Sequence, residues 1–228
     1  MKQPSIYPRV YQYMYKKLII VGGGGQAKVI LEAVDMKCYD NVIIEDPYTL
    51  SSSLHGIEIV RSCDNLVNEN TQFVIALGDN FKRQKAVKNL KNRFKKVRFA
   101  RVIHPSAYVC DSATIGVGTV VCANAFVGID TSIGDHVILN THSSVDHDNQ
   151  ISDFASIGPN TATGGNVIIG SRSAVGIGAT ISNQIEIAKD VVIGAGSTVV
   201  RNINSNNVVA FGNPAKIIRT RSENESYL

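Results

Sequence analysis

The chain has 228 residues, of which 44% are hydrophobic and 18% are charged, and it carries a formal net charge of +4. This composition is that of an ordinary globular protein and excludes a disordered or fibrous chain. No run approaches the ~18 consecutive apolar residues of a membrane span, and the opening residues lack the apolar core of a signal peptide, so we expect a cytoplasmic protein without membrane insertion. The length favours two modest domains.

The first half of the chain alternates short aliphatic runs with helical stretches. Residues 17–25, KLIIVGGGG, predict a strand that ends in a glycine loop, and the following QAKVILEAV has helical spacing. Two more aliphatic runs, 42–44 and 73–77, end in acidic or polar residues. This alternation predicts a small parallel, Rossmann-like α/β sheet, whose ligands would bind at the carboxyl ends of the strands.

A basic segment follows, because residues 82–101 hold ten Lys or Arg and no acid. Phe81, Val87, Leu90 and Phe94 recur near helical spacing, so the segment predicts an amphipathic helix whose cations form the solvated face. We therefore expect no nucleic-acid binding. Attraction of polyphosphate ligands is a minor alternative.

From residue 103 the period changes to six. Every sixth position from 103 to 199 is aliphatic except Thr163, which makes sixteen of seventeen, and a glycine often follows. This period fits neither a helix nor a simple strand, but it fits a coil of three short strands whose inward aliphatic side chains stack on those of the next coil. The glycines are expected at the corners, where a positive φ favours a residue without a Cβ.

These patterns divide the chain into four segments. We predict an N-terminal arm over 1–16, a Rossmann-like α/β domain over 17–101, a β-helix over 102–204, and a C-terminal cap and tail over 205–228.

Five motifs in order, IIVGGGGQAKVILEA, IALGDNFKRQK, VIHPSA, ILNTHSSVDHD and GNPAK, resemble those of bacterial sugar acetyltransferases of the sialic-acid O-acetyltransferase and bacillosamine N-acetyltransferase type. Perosamine N-acetyltransferases are especially similar. The resemblance covers residues 17 to about 220. It implies a left-handed parallel β-helix, a homotrimer, acetyl-CoA as co-substrate and a nucleotide sugar as acceptor.

Acetyl transfer needs a base, and histidine is suited to this role near neutral pH. Of five histidines, His147 stands out because it lies between two aspartates in VDHD. A surface histidine without a role would also fit this spacing. The resemblance implies that His147 is the catalytic base, oriented by Asp148, and that Asn140 lies near the acceptor. A second histidine of some relatives corresponds to Ser156 here.

The resemblance also implies where the ligands lie. Backbone amides near Gly165, Gly176 and Ile177 would face the thioester and pantetheine of acetyl-CoA, with GNPAK closing over the cofactor. For the nucleotide sugar it implies the glycine loop with Gly22 and Gly24. It also implies Glu45 and Asp46 near the base or ribose, and Gly78 and Asn80 near the phosphates. On its own the glycine cluster is a weak signal, because it lacks the full GxGxxG spacing and a tight turn would look the same.

The resemblance favours N-acetylation of the 4-amino group of a 4-amino-4,6-dideoxy sugar carried on UDP or GDP, and three alternatives remain open. O-acetylation of a sialic acid or another sugar hydroxyl would use the same base and cofactor. A γ-carbonic-anhydrase-like metal hydratase would use His142 and His147, but Ser106 stands where a third histidine is needed, so we expect no metal site. A non-catalytic β-helical binding module would have no affinity for CoA.

Overall fold

A computed structural model describes residues 17–227, so the predicted arm 1–16 lies outside the described residues. Within this range no helix combines the length and the apolar character needed to cross a bilayer.

The first unit is a five-stranded sheet with two helices. Its strands are β1 (Lys17–Val21), β2 (Asn41–Glu45), β3 (Ser53–Leu54), β4 (Ile57–Val60) and β5 (Thr71–Ile75), and its helices are α1 (Gly25–Ala33) and α2 (Asn80–Arg93). Short 3₁₀ turns span Met36–Cys38 and Asp64–Leu66. The strand order is β3-β4-β2-β1-β5, with β1 parallel to both neighbours. The order reverses between β1 and β5, the position where open sheets of this type bind ligands.

The second unit is built from two-residue strands that recur every six residues. They are β6 (Val102–Ile103), β7 (Tyr108–Val109), β8 (Thr114–Ile115), β9 (Val120–Val121), β10 (Phe126–Val127), β11 (Ser132–Ile133), β12 (Ile138–Leu139), β13 (Ser144–Val145), β14 (Gln150–Ile151), β15 (Ser156–Ile157), β16 (Ala162–Thr163), β17 (Ile168–Ile169), β18 (Ala174–Val175), β19 (Thr180–Ile181), β20 (Glu186–Ile187), β21 (Val192–Ile193) and β22 (Thr198–Val199). Each pairs in parallel with the strand eighteen residues away, which forms three sheets. The predicted left-handed parallel β-helix is confirmed.

The second residue of each strand points inward. These aliphatic residues are buried from Val109 to Val199, with Ile103 half-buried at the open end, and they form one continuous core. Stacking of equivalent residues in successive coils explains why the six-residue period runs through the whole segment without a break.

The corners differ from the expectation drawn from the sequence. Most left-handed corner residues are not glycine but Asn124, Asp130, His136, His142, Asp148, Phe154, Asn160, Asn166, Arg172, Gln184 and Asp190. Glycines that follow the inward aliphatics have no positive φ and serve a different purpose. A Cβ at Gly116 would lie 2.3 Å from the backbone of Gly134 in the next coil. Close approach between coils, rather than backbone angle, therefore requires glycine there.

The C-terminal segment extends one face of the β-helix. Strand β23 (Val208–Gly212) adds parallel to β21, and β24 (Ala215–Thr220) returns antiparallel to it, with the turn at Asn213–Pro214. The tail then crosses back to the first unit, where the Tyr227 hydroxyl donates to the Gly78 carbonyl at 3.1 Å.

Arg83 links the two units through hydrogen bonds. This finding corrects the prediction that the cations of this segment, Arg83 included, form the solvated face of the helix. It is 1% exposed, and its guanidinium donates to the carbonyls of His136 and Phe154 on the β-helix, each at 2.8 Å. It also donates to the carbonyls of Leu77 and Gly78 in its own unit. Burial lowers the pKa of Arg83 to about 10, so the group is still charged at neutral pH.

Candidate active site

His147 lies at a corner of the β-helix together with Asp148. The Nδ1 atom of His147 is 2.7 Å from Oδ2 of Asp148, and the His147 side chain is 49% exposed. The hydrogen bond to Asp148 raises the pKa of His147 above its ordinary value, with a further contribution from the charge of Asp146. The pair presents an oriented imidazole to solvent, with Nε2 as the nitrogen that is not bonded to Asp148.

Asp146 and Gly165 lie next to His147 and fix its position at this corner. The backbone N–H of His147 donates to Oδ1 of Asp146 at 2.8 Å, and the backbone of Asp148 is left-handed with φ of 56°. Gly165, one coil onward, is buried next to the imidazole, because a Cβ there would lie 2.3 Å from Cε1 of His147. Gly165 therefore makes room for the ring.

A buried polar pair under the corner was missed by sequence reasoning. Asn149 is fully buried, and its amide donates to Oγ1 of Thr163 at 2.8 Å and to the carbonyls of Asp146 and Gly164. Thr163 also accepts from the backbone N–H of Asp146. The single break in the aliphatic period at Thr163 was the available signal, because it supplies the hydroxyl that Asn149 and Asp146 need.

The backbone N–H groups of Gly176 and Ile177, both predicted to face acetyl-CoA, differ in whether they are already hydrogen-bonded. The N–H of Gly176 donates to the carbonyl of Ile193 at 2.8 Å, so it belongs to the ladder and cannot face a thioester. Ile177 is exposed, and its N–H has no acceptor among residues 17–227. The Asn140 amide donates to the Ile157 carbonyl at 3.0 Å, which is a stacking contact along the coil.

Asn80 does not face the ligand edge, contrary to the expectation for the phosphate contacts. Its side chain is buried and donates to the carbonyls of Arg172 and Ser173. Its carbonyl oxygen accepts from Arg83 at 2.7 Å and from the hydroxyl of Ser156 at 2.6 Å. The amide thus has both donors and two acceptor sites in use. Ser156 belongs to this junction.

The carbonyl of Gly78 is also engaged, because it accepts from both Arg83 and Tyr227. Asp79 caps α2 by accepting from the N–H of Lys82 at 2.9 Å. A carboxylate therefore occupies the α2 N-terminus and makes it unfavourable for an anion.

The α1 N-terminus has the opposite character. Its N-cap, Gly24, provides no side-chain cap, and the first turn contains no acid. Gly24 and Gly25 are exposed, with open space around the position of a Cβ, whereas Gly22 has φ of 105° and packs against the carbonyl of Ala76. Unbonded N–H groups at such a helix start attract anions.

The two acidic residues at the end of β2, Glu45 and Asp46, point to opposite sides, as successive residues of a strand do. Glu45 is 4% exposed and forms an ion pair with Arg93 at 2.8 Å, so it does not contact the base or ribose as predicted. Although burial raises the pKa of Glu45, hydrogen bonds from Arg93 and Cys63 lower it overall. Oδ2 of Asp46 accepts from the N–H of Gly23 at 2.7 Å.

Three other histidines, His136, His142 and His104, have different surroundings from His147. His136 is buried between Phe99 and Phe154, and burial lowers its pKa to about 3. His142 is exposed beside Asn124, and His104 contacts Ser106. Among residues 17–227, no three His, Cys, Asp or Glu side chains are grouped so that they could hold a metal ion.

Known proteins share this architecture. The PglD N-terminal domain family matches residues 17–90. UDP-N-acetylbacillosamine N-acetyltransferase of Bacillus subtilis (strain 168) is 36% identical over 116 residues, which is 47% of this chain and only about half, 52%, of that relative.

Two solved structures match over nearly the whole chain. The acetyltransferase domain of PglB from Neisseria gonorrhoeae FA1090 is 32% identical, with a TM-score of 0.83, over 89% of this chain and 100% of that one. A GDP-perosamine N-acetyltransferase variant from Caulobacter crescentus, in complex with CoA and GDP-perosamine, is also 32% identical, with a TM-score of 0.79, over 88% of this chain and 96% of that one.

The fold and the site together define a hexapeptide-repeat protein of the acyltransferase class, in which an α/β unit is joined to a β-helix. The chain belongs to the family of bacterial sugar acetyltransferases that includes the acetyltransferase domain of PglB and the perosamine N-acetyltransferases.

Proposed function

We propose that this protein transfers the acetyl group of acetyl-CoA to the 4-amino group of a 4-amino-4,6-dideoxy sugar carried on UDP or GDP. The observation that carries the proposal is the exposed His147, held by Asp148 on a β-helix of this family. Structures of relatives that are 32% identical support the ligands, since one contains acetyl coenzyme A and another contains CoA and GDP-perosamine.

In the proposed reaction, the neutral amine attacks the carbonyl carbon of the thioester. Nε2 of His147 accepts the proton that the nitrogen loses, the carbon–sulfur bond breaks, and the imidazolium gives this proton to the leaving sulfur so that CoA departs as the thiol. The charge of Asp148 stabilises the imidazolium that forms. The N–H of Ile177 is the proposed donor to acetyl-CoA, because the amide of Gly176 is already bonded.

The nucleotide diphosphate is proposed to bind at the N-terminus of α1, next to Gly23, Gly24 and Gly25. The α1 N-terminus is uncapped, whereas Asp79 occupies that of α2. Glu45 and Asn80 are engaged within the protein and are not among the proposed ligand contacts, whereas the glycine loop is, with Asp46 holding it through Gly23.

We further propose that the protein is a homotrimer with acetyl-CoA in the grooves between β-helices. Ile129 and Ile177 are apolar and exposed on the coils, and Ile129 lies directly beside the catalytic corner, where its carbonyl accepts from the N–H of Asp148 at 3.0 Å. Light scattering tests this state, and a monomer at assay concentration would contradict it.

The activity is tested by thiol release from acetyl-CoA with a panel of UDP- and GDP-linked 4-amino sugars, sialic acid and amino acids. We expect turnover with a nucleotide-linked amino sugar. Turnover with sialic acid alone would favour the O-acetyltransferase alternative, and turnover with no acceptor at saturating acetyl-CoA would refute the proposal.

A further inference from the structure

Two hydrophobic residues in the loop after β2 are almost fully exposed. Tyr48 is 91% exposed and Leu50 is 94% exposed, more than any other large hydrophobic residue within 17–227. A single exposed apolar side chain is common in proteins. The position of Tyr48 is less common, because its loop directly follows β2 at the carboxyl edge of the sheet, where ligands of such folds bind.

The backbone that carries Tyr48 is held in place by Asp46. Oδ1 of Asp46 accepts from the N–H groups of Tyr48 at 2.9 Å and Thr49 at 3.2 Å, while Oδ2 accepts from Gly23. One carboxylate therefore joins the Tyr48 loop to the glycine loop. A ring carried on an ordered backbone binds a ligand at a smaller entropic cost than a ring on a mobile loop.

The order of the strands indicates which part of a bound nucleotide sugar would lie near the Tyr48 ring. Strand β2 is the neighbour of β1, so its loop lies next to the glycine loop along the edge. A diphosphate at the α1 N-terminus would leave the nucleoside to extend along this edge. Glu45 is buried against Arg93, and both oxygens of Asp46 already accept hydrogen bonds.

The exposed ring of Tyr48 gives this loop an aromatic face. Nucleobases stack on aromatic side chains with a typical contribution of ~1 to 3 kcal/mol per base. We infer that Tyr48 is the platform on which the nucleobase of the nucleotide sugar stacks, which makes it a substrate-binding residue of this site. This inference rests on the proposed function, and it assigns base binding to a ring rather than to the acidic pair.

The test compares Tyr48→Ala with Tyr48→Phe in the full-length protein. Because the side chain is exposed, neither change should alter the urea unfolding midpoint. We expect Tyr48→Ala to raise KM for the nucleotide sugar by roughly 5- to 100-fold and to leave KM for acetyl-CoA unchanged. Tyr48→Phe should retain the wild-type KM. Leu50→Ala is the matched control, since Leu50 is equally exposed on the same loop but has no ring.

A second measurement separates the contribution of the nucleobase from that of the diphosphate. Titration calorimetry with GDP, UDP and inorganic pyrophosphate should show that Tyr48→Ala weakens the two nucleotides and leaves pyrophosphate unaffected. Equal nucleotide affinity in the wild type and Tyr48→Ala would overturn the inference, as would a change of oligomeric state in Tyr48→Ala. A wild-type protein that neither binds nucleotides nor acetylates nucleotide sugars would instead overturn the proposed function.

Discussion

The imidazole of His147 and the carboxylate of Asp148 meet at 2.7 Å, although they are adjacent in the chain. Adjacent side chains can meet here because Asp148 has a left-handed backbone, with φ of 56°, at the corner of a coil. The same backbone makes asparagine a suitable substitute for Asp148, since Asn and Asp tolerate this region better than most residues.

Replacing His147, the proposed general base, is expected to abolish most of the turnover. His147→Ala should lower kcat by ~100- to 10,000-fold, the range typical of general bases. Asp148→Asn should lower kcat by a smaller factor, because asparagine keeps the left-handed backbone at this position. Only the orientation of the His147 ring and the charge of the carboxylate are lost. Steady-state thiol release measures both. An unchanged kcat in His147→Ala would remove this residue from the mechanism.

The pH profile should report the same pair. The pKa of His147 is raised by Asp148, and the neutral imidazole is the active form, so activity should fall as pH decreases through the raised pKa. Asp148→Asn should lower this pKa and shift the acidic limb of kcat/KM to lower pH. Use of one acceptor for both proteins cancels the acceptor's own titration. A shift to higher pH would contradict the assignment.

Two neighbouring glycines should have separable effects. In Gly165→Ala the new Cβ meets the His147 ring, which can rotate away, so we expect about 100-fold lower kcat with little change in stability. In Gly164→Ala the Cβ would lie 2.7 Å from the backbone nitrogen of Asn183, so we expect a loss of ~1 to 3 kcal/mol in the free energy of unfolding. Equal losses of stability in both variants would argue against this contact with the ring.

Arg83 should be among the most important residues for stability in the first unit. Arg83→Met leaves the buried carbonyl of His136 and the partly buried carbonyls of Leu77 and Phe154 without their donor. We expect a loss of about 3 to 5 kcal/mol in the free energy of unfolding. Lys85→Met, on the exposed face of α2, is the control and should change it by less than ~0.5 kcal/mol. Urea titration distinguishes the two, and similar midpoints would contradict the buried role of Arg83.

Buried His136 should make the protein sensitive to acid. Its pKa in the folded state is lowered to about 3, whereas the unfolded chain takes up the proton near pH 6.5, so acid favours unfolding. Between pH 6.5 and pH 5 this group should account for a loss of roughly 2 kcal/mol. His136→Phe keeps a ring against Phe154 and should lose less stability over this interval. An identical pH dependence in the variant would exclude His136 as the cause.

Several features of the site required the three-dimensional contacts. The spacing of residues 82–101 predicted a helix, but helical spacing cannot show that Arg83 enters a second unit. The acidic pair at the end of β2 suggested two ligand contacts, yet strand alternation directs Glu45 toward Arg93 and Asp46 toward Gly23. The resemblance implied that Asn80 lies at the phosphates, but its amide is used within the junction.

The sequence by itself determined the β-helix, because a six-residue aliphatic period depends only on which side chains stack between successive coils. It also determined the glycine loop after the first strand and the adjacent histidine and aspartate at 147 and 148. Only the tertiary structure decided which polar residues remain available to a ligand. Hydrogen bonds between units, such as those of Arg83 and Asn80, join residues more than fifty positions apart, and no local pattern in the sequence records such distant partners.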